Sequence, residues 1–277
     1  RASAVDAGDG QIADATPSGT REVNAAGRYV VYRTDTGQVF LGSLDDGATI
    51  PIDPLADAEV AEGEEAVVYT ADAVGVAPDG AIATFSAAEG GVRRFDATTL
   101  EYGDGVEPIK DAPAADAALS LAVVGSGWVL LDATDSRAWV SGRAEPVEVD
   151  VEADARLQRG SDRGEAAYAA DSRGLVEIAL DGSAAERVAD ATGVPAAPVT
   201  VGDEVVAAWL GQQSGTVWSS TGGEAALEVP QGALDQVAQL APTIRSNGDR
   251  AVLNEPGSGL VWTLPDGRLI PLEQWSV

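Results

Sequence analysis

Ala251-Val-Leu-Asn-Glu-Pro-Gly-Ser-Gly-Leu-Val-Trp262 contains the pattern that decides the fold: a short apolar strand, a polar turn with glycine, and the start of a second apolar strand. Beyond the turn, Leu260, Trp262 and Leu264 fall on one face of the second strand, as the two-residue period of a β-strand requires. Glycine in such a turn can adopt a positive φ and close a hairpin at little steric cost. The stretch therefore predicts a β-hairpin.

The same pattern occurs five more times along the 277 residues, at Tyr29–Phe40, Ala81–Val92, Trp128–Trp139, Ala166–Glu177 and Val205–Trp218. The turn residue is glycine in all copies but the third, and the six positions are Gly37, Gly91, Arg137, Gly174, Gly215 and Gly259. Successive positions are 54, 46, 37, 41 and 44 residues apart, which brackets the roughly 40 to 50 residues of a four-stranded propeller blade. The sequence therefore predicts an all-β fold, a β-propeller of about six four-stranded blades, with seven blades as an open alternative.

The repeats divide the chain into a short N-terminal segment and one large domain. Residues 1–20 are rich in Ala, Asp, Gly and Ser/Thr, and we expect an N-terminal tail or a partial latch strand there. Residues 21–277 are predicted to form the β-propeller domain. A ring of blades must be closed by strands from both chain ends, and Arg21–Val23, or a strand just before it, is a candidate for the latch.

The charge balance and the missing residue types restrict the possible partners and chemistry. Lys+Arg number 17 and Asp+Glu number 45, which gives a net charge of −28. Because such a surface repels phosphate backbones and anionic bilayers, we predict no nucleic-acid partner, and the chain has no apolar run long enough for membrane insertion. The absence of Cys, His and Met excludes disulfides and thiolate nucleophiles, removes the soft metal ligands, and suits an extracellular setting.

Aromatic residues recur just after the predicted turns, at Phe40, Trp139, Trp218 and Trp262. One interpretation is a row of rings that stacks on sugars. Bulky residues at repeated positions more often pack one repeat against the next, so packing between blades is the preferred interpretation.

Carboxylates are the only abundant acid–base groups, so the one enzymatic mechanism that the composition favours is a glycosidase-like pair separated by roughly 5 to 9 Å. Candidates for such a pair across the ring axis lie near turns, at Asp45, Asp46, Asp72, Asp79, Asp132, Asp135, Asp171 and Glu255. Since 45 acidic residues produce many close pairs by chance, solvated surface is the preferred interpretation and no catalytic residue is assigned. Oxygen ligands for Ca²⁺ are plentiful, but no segment has the spacing of a calcium-binding loop, so no cofactor is predicted.

The closing repeat, Ser246–Val277, resembles a segment of large actinobacterial cell-surface proteins. In that family a membrane-anchored, propeller-like N-terminal region precedes tandem immunoglobulin-like or fibronectin type III domains. The bias to Ala, Gly, Val and Asp with few Lys also resembles high-GC actinobacterial proteins. The resemblance implies an extracellular or cell-surface location, anchoring through sequence outside these residues, and a structural or adhesive role without catalytic residues.

Together these features predict a non-enzymatic extracellular propeller that acts as a protein-interaction or assembly platform of a stalk, fibre or adhesin. Its partners would be proteins, or copies of itself joined through adjacent domains, because propellers expose loops on two faces. The alternative is a carbohydrate-active propeller that binds a cell-surface glycan or acts as a carboxylate-based glycoside hydrolase. A third hypothesis is a sensor that binds a small ligand in the axial channel.

Overall fold

The computed structural model describes residues 16–43, 49–56, 67–115, 117–247 and 249–271, together with the backbone of residues 3–5 and 12–14. All helix or strand structure in these residues is β-strand, arranged as six antiparallel blade sheets in chain order and one separate two-stranded sheet. The predicted all-β propeller fold is therefore confirmed. The described residues include no helix that could span a membrane.

The strands of each blade are numbered here from first to fourth in chain order. Blade 1 contains Thr20–Ala26, Tyr29–Thr34, Val39–Ser43 and Thr49–Ile52. Blade 2 contains Ala73–Val76, Ala81–Ser86, Gly91–Asp96 and Glu101–Pro108. Blade 3 contains Leu119–Val124, Gly127–Asp132, Arg137–Val140 and Val147–Glu148. Blade 4 contains Arg156–Leu157, Ala166–Asp171, Gly174–Ala179 and Glu186–Asp190.

The last two blades depart from this regular pattern. Blade 5 has a broken first strand, Val194–Pro195 and Val199–Val201, and both pieces pair with its second strand, Glu204–Leu210. Its third and fourth strands are Gly215–Ser219 and Gly223–Leu227. Blade 6 has three strands within the described residues, which are Thr243–Ser246, Ala251–Glu255 and Leu260–Leu264.

The N-terminal residues bear on the latch prediction. Ser3–Val5 pairs with Ile12–Asp14 in the separate two-stranded sheet. Arg21–Val23 lies in the first strand of blade 1, where Glu22 pairs with Arg33 of the second strand. The assignment of Arg21–Val23 to the latch is wrong, because these residues belong to the sheet of blade 1 itself.

The core is distributed between neighbouring blades. Apolar clusters join each blade to the next from blade 1 to blade 6, and they contain Val31 with Ile82, Phe85 with Trp139, Leu131 with Ile178, Ala170 with Trp209, and Leu210 with Leu253. A blade between two neighbours is covered on both faces, which explains why Gly127–Asp132 is buried at every position. The repeat is therefore the unit of packing, and each blade depends on its neighbours for burial.

The first strands surround the axis of the ring. Leu119–Val124 of blade 3 contacts both Ala73–Val76 of blade 2 and Arg156–Leu157 of blade 4, which are the first strands of those blades. Within each four-stranded blade the later strands follow in order, so the fourth strand forms the outer edge. Side chains on the first strands are thus the ones placed to line an axial channel.

Candidate functional site

The repeat glycines lie at the hairpins between second and third strands. Gly91, Gly174 and Gly215 begin the third strands of blades 2, 4 and 5. Gly37 and Gly259 lie in the turn before the third strand of blades 1 and 6, with φ of 81° and 75°. Because these φ values are in the region that favours glycine, the glycines at these two positions reflect hairpin geometry.

Two of the recurring tryptophans join neighbouring blades. Trp139 and Trp262 are completely buried. The Trp139 indole N–H donates a hydrogen bond to the Lys110 carbonyl, just after blade 2, at 2.8 Å. Trp262 donates in the same way to the Glu228 carbonyl, just after blade 5, at 2.8 Å. Both rings therefore pack one blade on the preceding one and are inaccessible to a sugar.

The remaining aromatic positions have different environments. Trp218 is half-buried, and its ring centroid lies 6.1 Å from that of Tyr168 in blade 4. Phe40 is also half-buried. Trp209, which the repeat comparison does not single out, is completely buried and donates its indole N–H to the Asp171 carbonyl at 2.7 Å. The recurring aromatic positions thus do not form one exposed row.

Three of the candidate carboxylates occupy one repeated position, the last residue of the second strand. Asp132, Asp171 and Glu255 hold it in blades 3, 4 and 6, and all three are buried. Asp132 accepts hydrogen bonds from the N–H groups of the hairpin that follows, at Thr134 and Asp135, at 3.0 and 3.1 Å. Glu255 accepts from the backbone N–H groups of Gly257 and Ala241, at 2.9 and 2.8 Å. These carboxylates tie down the backbone of their own blades.

Asp171 has the most complete set of partners. Its two oxygens accept hydrogen bonds from the Arg187 guanidinium at 3.0 and 3.1 Å and from the backbone N–H groups of Glu152 and Arg173, both at 2.9 Å. Burial alone would raise the pKa of this carboxyl, but the hydrogen bonds from Arg187 and the two backbone groups hold its pKa below the usual value. Asp171 is therefore an ionised structural carboxylate and not a proton donor near neutral pH.

The other candidate carboxylates are also engaged within single blades. Asp72 accepts a hydrogen bond from the Ala87 N–H at 2.8 Å, and Asp79 accepts one from the Ala81 N–H at 3.1 Å. Asp135 forms an ion pair with Arg137 at 2.7 Å. Asp45 and Asp46 lie outside the described residues. Within the part of the chain that is described, no group of three or more acidic side chains is placed to hold a metal ion.

An axial cavity of about 450 Å³ lies where the six blades meet. Each blade contributes to its wall, and one residue from each in chain order is Asn24, Gly75, Leu121, Arg159, Ala197 and Arg245. We call this cavity the axial channel. Because it is lined by the innermost strands, it is the most central candidate site in the molecule.

Most polar side chains of the axial channel are already hydrogen-bonded to protein. Glu22 forms an ion pair with Arg33 at 2.8 Å and accepts a hydrogen bond from the Asn24 amide at 2.9 Å. Asn24 also donates to the Val74 carbonyl at 2.7 Å. Gln158 is buried, and its side chain bonds to Thr200 Oγ1 at 2.9 Å and accepts from a backbone N–H of blade 4 at 3.1 Å.

Among the charged side chains of the channel, Arg159 and Arg245 are the exceptions. Among the described residues, neither guanidinium has a hydrogen bond or an ion pair. Burial lowers the pKa of Arg159, and the nearby positive charge of Arg245 lowers it further. The channel therefore presents two like charges to the same space. No repeat or spacing in the sequence marks these arginines, because the fold alone brings them together.

The backbone around Arg159 is held by several blades. Its N–H donates to the Pro198 carbonyl of blade 5 at 2.9 Å. Ser161 exchanges backbone hydrogen bonds with blade 3, donating to the Val123 carbonyl at 2.9 Å and accepting from Gly125 at 3.0 Å. At Gly160 a Cβ atom would lie 1.9 Å from the Val76 carbonyl oxygen of blade 2. Contacts with blades 2, 3 and 5 therefore hold this segment in one path at the wall of the axial channel.

Two further cavities lie between blades. One of about 310 Å³, between blades 2 and 3, is lined mainly by apolar groups such as Phe95, Tyr102 and Trp128. The other, of about 380 Å³, lies between blades 4 and 5 beside the Arg163–Asp203 ion pair, which is 2.7 Å long.

Comparison with solved structures places the chain among propellers. It is similar to BamB from Moraxella catarrhalis, with 14% identity and a TM-score of 0.52 over 94% of this chain and 77% of that chain. It is also similar to dihydro-heme d1 dehydrogenase NirN in complex with DHE, with 15% identity and a TM-score of 0.52. That match covers 91% of this chain but 56% of NirN. The computationally designed Ika8 protein matches with 12% identity and a TM-score of 0.53, over 91% of this chain and 74% of that chain.

These likenesses, at identities of 15% or less, show the fold alone. No family model and no curated protein matches the sequence. BamB and NirN are both β-propellers, and this chain shares that fold with them.

Proposed function

We propose that the chain is a non-enzymatic, extracellular β-propeller module that acts as a protein-interaction platform within a large surface protein. The outer edge of blade 2 carries this proposal. Its fourth strand is exposed from Glu101 to Gly105. Tyr102 in this strand is 41% exposed, and Leu100 just before the strand is 54% exposed. An exposed strand edge with large apolar side chains is a typical binding surface for another polypeptide.

The neighbouring cavity adds a pocket to this edge. The cavity between blades 2 and 3 includes Tyr102, whose ring centroid lies 4.9 Å from that of Phe95. An extended partner strand could bond to the outer edge through its backbone and place one side chain in the pocket. Because the chain carries a net charge of −28, the partner we expect has apolar and basic side chains.

The fate of the candidate carboxylates supports a role without catalysis. Asp132, Asp171 and Glu255 are buried and bonded to backbone N–H groups, which removes them from the water that a hydrolytic mechanism needs. Asp72 and Asp79 likewise serve their own hairpins.

A photo-crosslinking amino acid at position 102 tests the platform role in the full-length protein on its native cells. We expect a covalent adduct with one polypeptide, lost when Leu100 is changed to Ser. The control carries the crosslinker at Val188, which is also exposed but lies on the outer strand of blade 4. A chain that forms no adduct at position 102 and behaves as an inert monomer would contradict the proposal.

Surface labelling tests the extracellular location. Lys110 is the single lysine of the sequence, and its side chain is 64% exposed. A membrane-impermeant amine reagent applied to intact cells should therefore modify Lys110, as a peptide mass map would detect. Modification of Lys110 only after cell lysis would contradict an extracellular location.

A glycan-binding role is the second candidate, and exposed Tyr102 beside the cavity between blades 2 and 3 favours it over hydrolysis. An aromatic ring next to a pocket can stack on a sugar face. A glycan array probed with the wild-type chain and with Tyr102→Ala tests this candidate. Equal signals from the two proteins would remove it.

A further inference from the structure

The axial channel contains positive charge that the rest of the protein leaves uncompensated. Eight other arginines in the described residues form ion pairs with Asp or Glu: Arg33, Arg93, Arg94, Arg137, Arg163, Arg173, Arg187 and Arg268. Arg159 and Arg245 form none within those residues, and unlike the exposed Arg21, Arg156 and Arg250, which also have no ion pair there, they line the axial channel. In so acidic a protein, two arginines without carboxylates in the most central cavity require an explanation.

No described side chain of the channel supplies the missing negative charge. Glu22 lines the same cavity, but Arg33 and Asn24 already bind its carboxylate. Two like charges that face one cavity repel each other, and the partial burial of Arg159 weakens the solvation of its guanidinium. An anion that enters the channel would relieve both penalties.

We propose that the axial channel binds a small molecule through a carboxylate or phosphate group, and that Arg159 and Arg245 hold the oxygens of that group. The planar guanidinium presents a fork of N–H donors that matches the oxygens of either anion. The fixed backbone around Arg159, bonded to Pro198 and packed at Gly160, positions one fork before the ligand arrives.

The channel also sets limits on the rest of the ligand. A volume of about 450 Å³ lies within the range of small-molecule pockets. Val76 and Leu121 provide apolar wall, which suits a short carbon skeleton attached to the anionic group. The acidic exterior repels polyanions such as nucleic acids, so a compact ligand with one or two charges is the expected class.

Calorimetric titration and thermal unfolding of the chain test this site, with sodium succinate and sodium phosphate as separate probes. Sodium chloride at matched ionic strength is the reference, because general screening stabilises an acidic protein without any site. We expect at least one probe to bind with one-to-one stoichiometry and to raise Tm as its concentration increases. Binding of succinate alone supports a carboxylate ligand, binding of phosphate alone supports a phosphorylated one, and binding of both supports their shared oxyanion chemistry.

Variants separate this site from a general charge effect. Arg159→Gln and Arg245→Gln should each weaken binding of the active probe by about tenfold or more, because each removes a charge-assisted set of hydrogen bonds. Arg268→Gln is the matched control, since it removes one positive charge from a side chain that is 76% exposed and outside the channel. If Arg159→Gln fails to fold, Arg245→Gln, whose side chain is exposed, still tests the site.

Failure of both probes to bind the wild-type chain would overturn the proposal. Binding that persists unchanged in Arg245→Gln, or that weakens equally in Arg268→Gln, would also overturn it. The axial channel and the outer edge of blade 2 have no residue in common, so this result is independent of the crosslinking at position 102.

Discussion

The strand-end carboxylates and the channel arginines are all charged side chains of the propeller, but their surroundings differ. Asp171 is completely buried and has four hydrogen bonds to its oxygens from Arg187 and two backbone N–H groups. Arg159 and Arg245 line a cavity and have no acceptor among the described residues. A buried charge is tolerated when it is paired and hydrogen-bonded.

The difference separates structural charges from available ones. Removing the Asp171 carboxylate leaves its hydrogen-bond donors without that acceptor. The Arg159 guanidinium has no partner among the described residues, so its removal breaks no such bond. In this propeller, a charge that is fully satisfied by its own blade is part of the framework. A charge that faces a cavity without a partner is the better candidate for binding.

The largest expected effect comes from removing the best-satisfied charge. Asp171→Ala would remove the carboxylate that pairs with Arg187 and that accepts hydrogen bonds from two backbone N–H groups. Among the described residues, Arg187 would keep only its hydrogen bond to the Asp150 carbonyl. Loss of one partner from a buried ion pair typically lowers the free energy of unfolding by about 3 to 5 kcal/mol. Urea unfolding of the wild-type and variant chains measures this change. Asp203→Ala, which removes a carboxylate that is 90% exposed, is the control and should change stability by less than about 1 kcal/mol. If both variants lose the same free energy of unfolding, Asp171 is no more important to stability than an exposed carboxylate, and the comparison with the channel arginines fails.

The next effect concerns the backbone that positions Arg159. In Gly160→Ala the new Cβ would lie 1.9 Å from the Val76 carbonyl oxygen, so the backbone must shift. Overpacking of this kind lowers the free energy of unfolding by about 1 to 3 kcal/mol. Because the displaced segment contains Arg159, we also expect weaker binding of the active anion probe. Gly103→Ala is the control, since its nearest neighbour would be the Arg94 Cβ at 3.3 Å. A Gly160→Ala chain with wild-type stability would contradict this prediction.

Acid titration gives a smaller effect of defined sign. The pKa of Asp171 is lowered from 3.8 in the folded state, so its ionised form stabilises the fold above the unfolded pKa. This contribution is lost as the pH falls below 3.8 and through the folded pKa. Between pH 6 and pH 3, the free energy of unfolding should therefore fall more steeply for the wild-type chain than for Asp171→Asn. Urea unfolding at each pH measures the free energy of unfolding of both proteins. If this free energy falls equally with pH in both, the lowered pKa of Asp171 is contradicted.

The extent of prediction from sequence differs between the fold and the site. A hairpin depends on residues close together in sequence, such as Gly174 and the alternating apolar residues of the strand that follows it. The propeller could therefore be predicted from these hairpins and from the number of residues between them. The role of Trp139 as a packing residue also follows from repetition, since each blade must cover its neighbour. No repeated residue in the sequence marks the break in the first strand of blade 5. None marks Arg21–Val23 as part of blade 1 either.

The axial channel could not be predicted for a physical reason. Arg159 and Arg245 are far apart in sequence and sit in different blades, so they meet only when the ring forms. The candidate carboxylates could be found in the sequence, but their structural role could not. Asp132, Asp171 and Glu255 were visible as acidic residues at turns, but their burial and backbone partners depend on the completed hairpins.

The smallest effect on stability, and the sharpest contrast with Asp171, is expected for Arg159→Gln. Because no described group accepts a hydrogen bond from this guanidinium, and because Arg245 repels it, its removal should leave the free energy of unfolding unchanged or raise it by up to about 1 kcal/mol in chloride buffer. The same variant should lose the stabilisation that the anion probe gives the wild-type chain. Urea unfolding with and without the probe measures both quantities in one experiment. If Arg159→Gln lowers the free energy of unfolding by several kcal/mol in chloride alone, Arg159 stabilises the fold as Asp171 does. The distinction between a structural charge and a charge available for binding would then fail for Arg159.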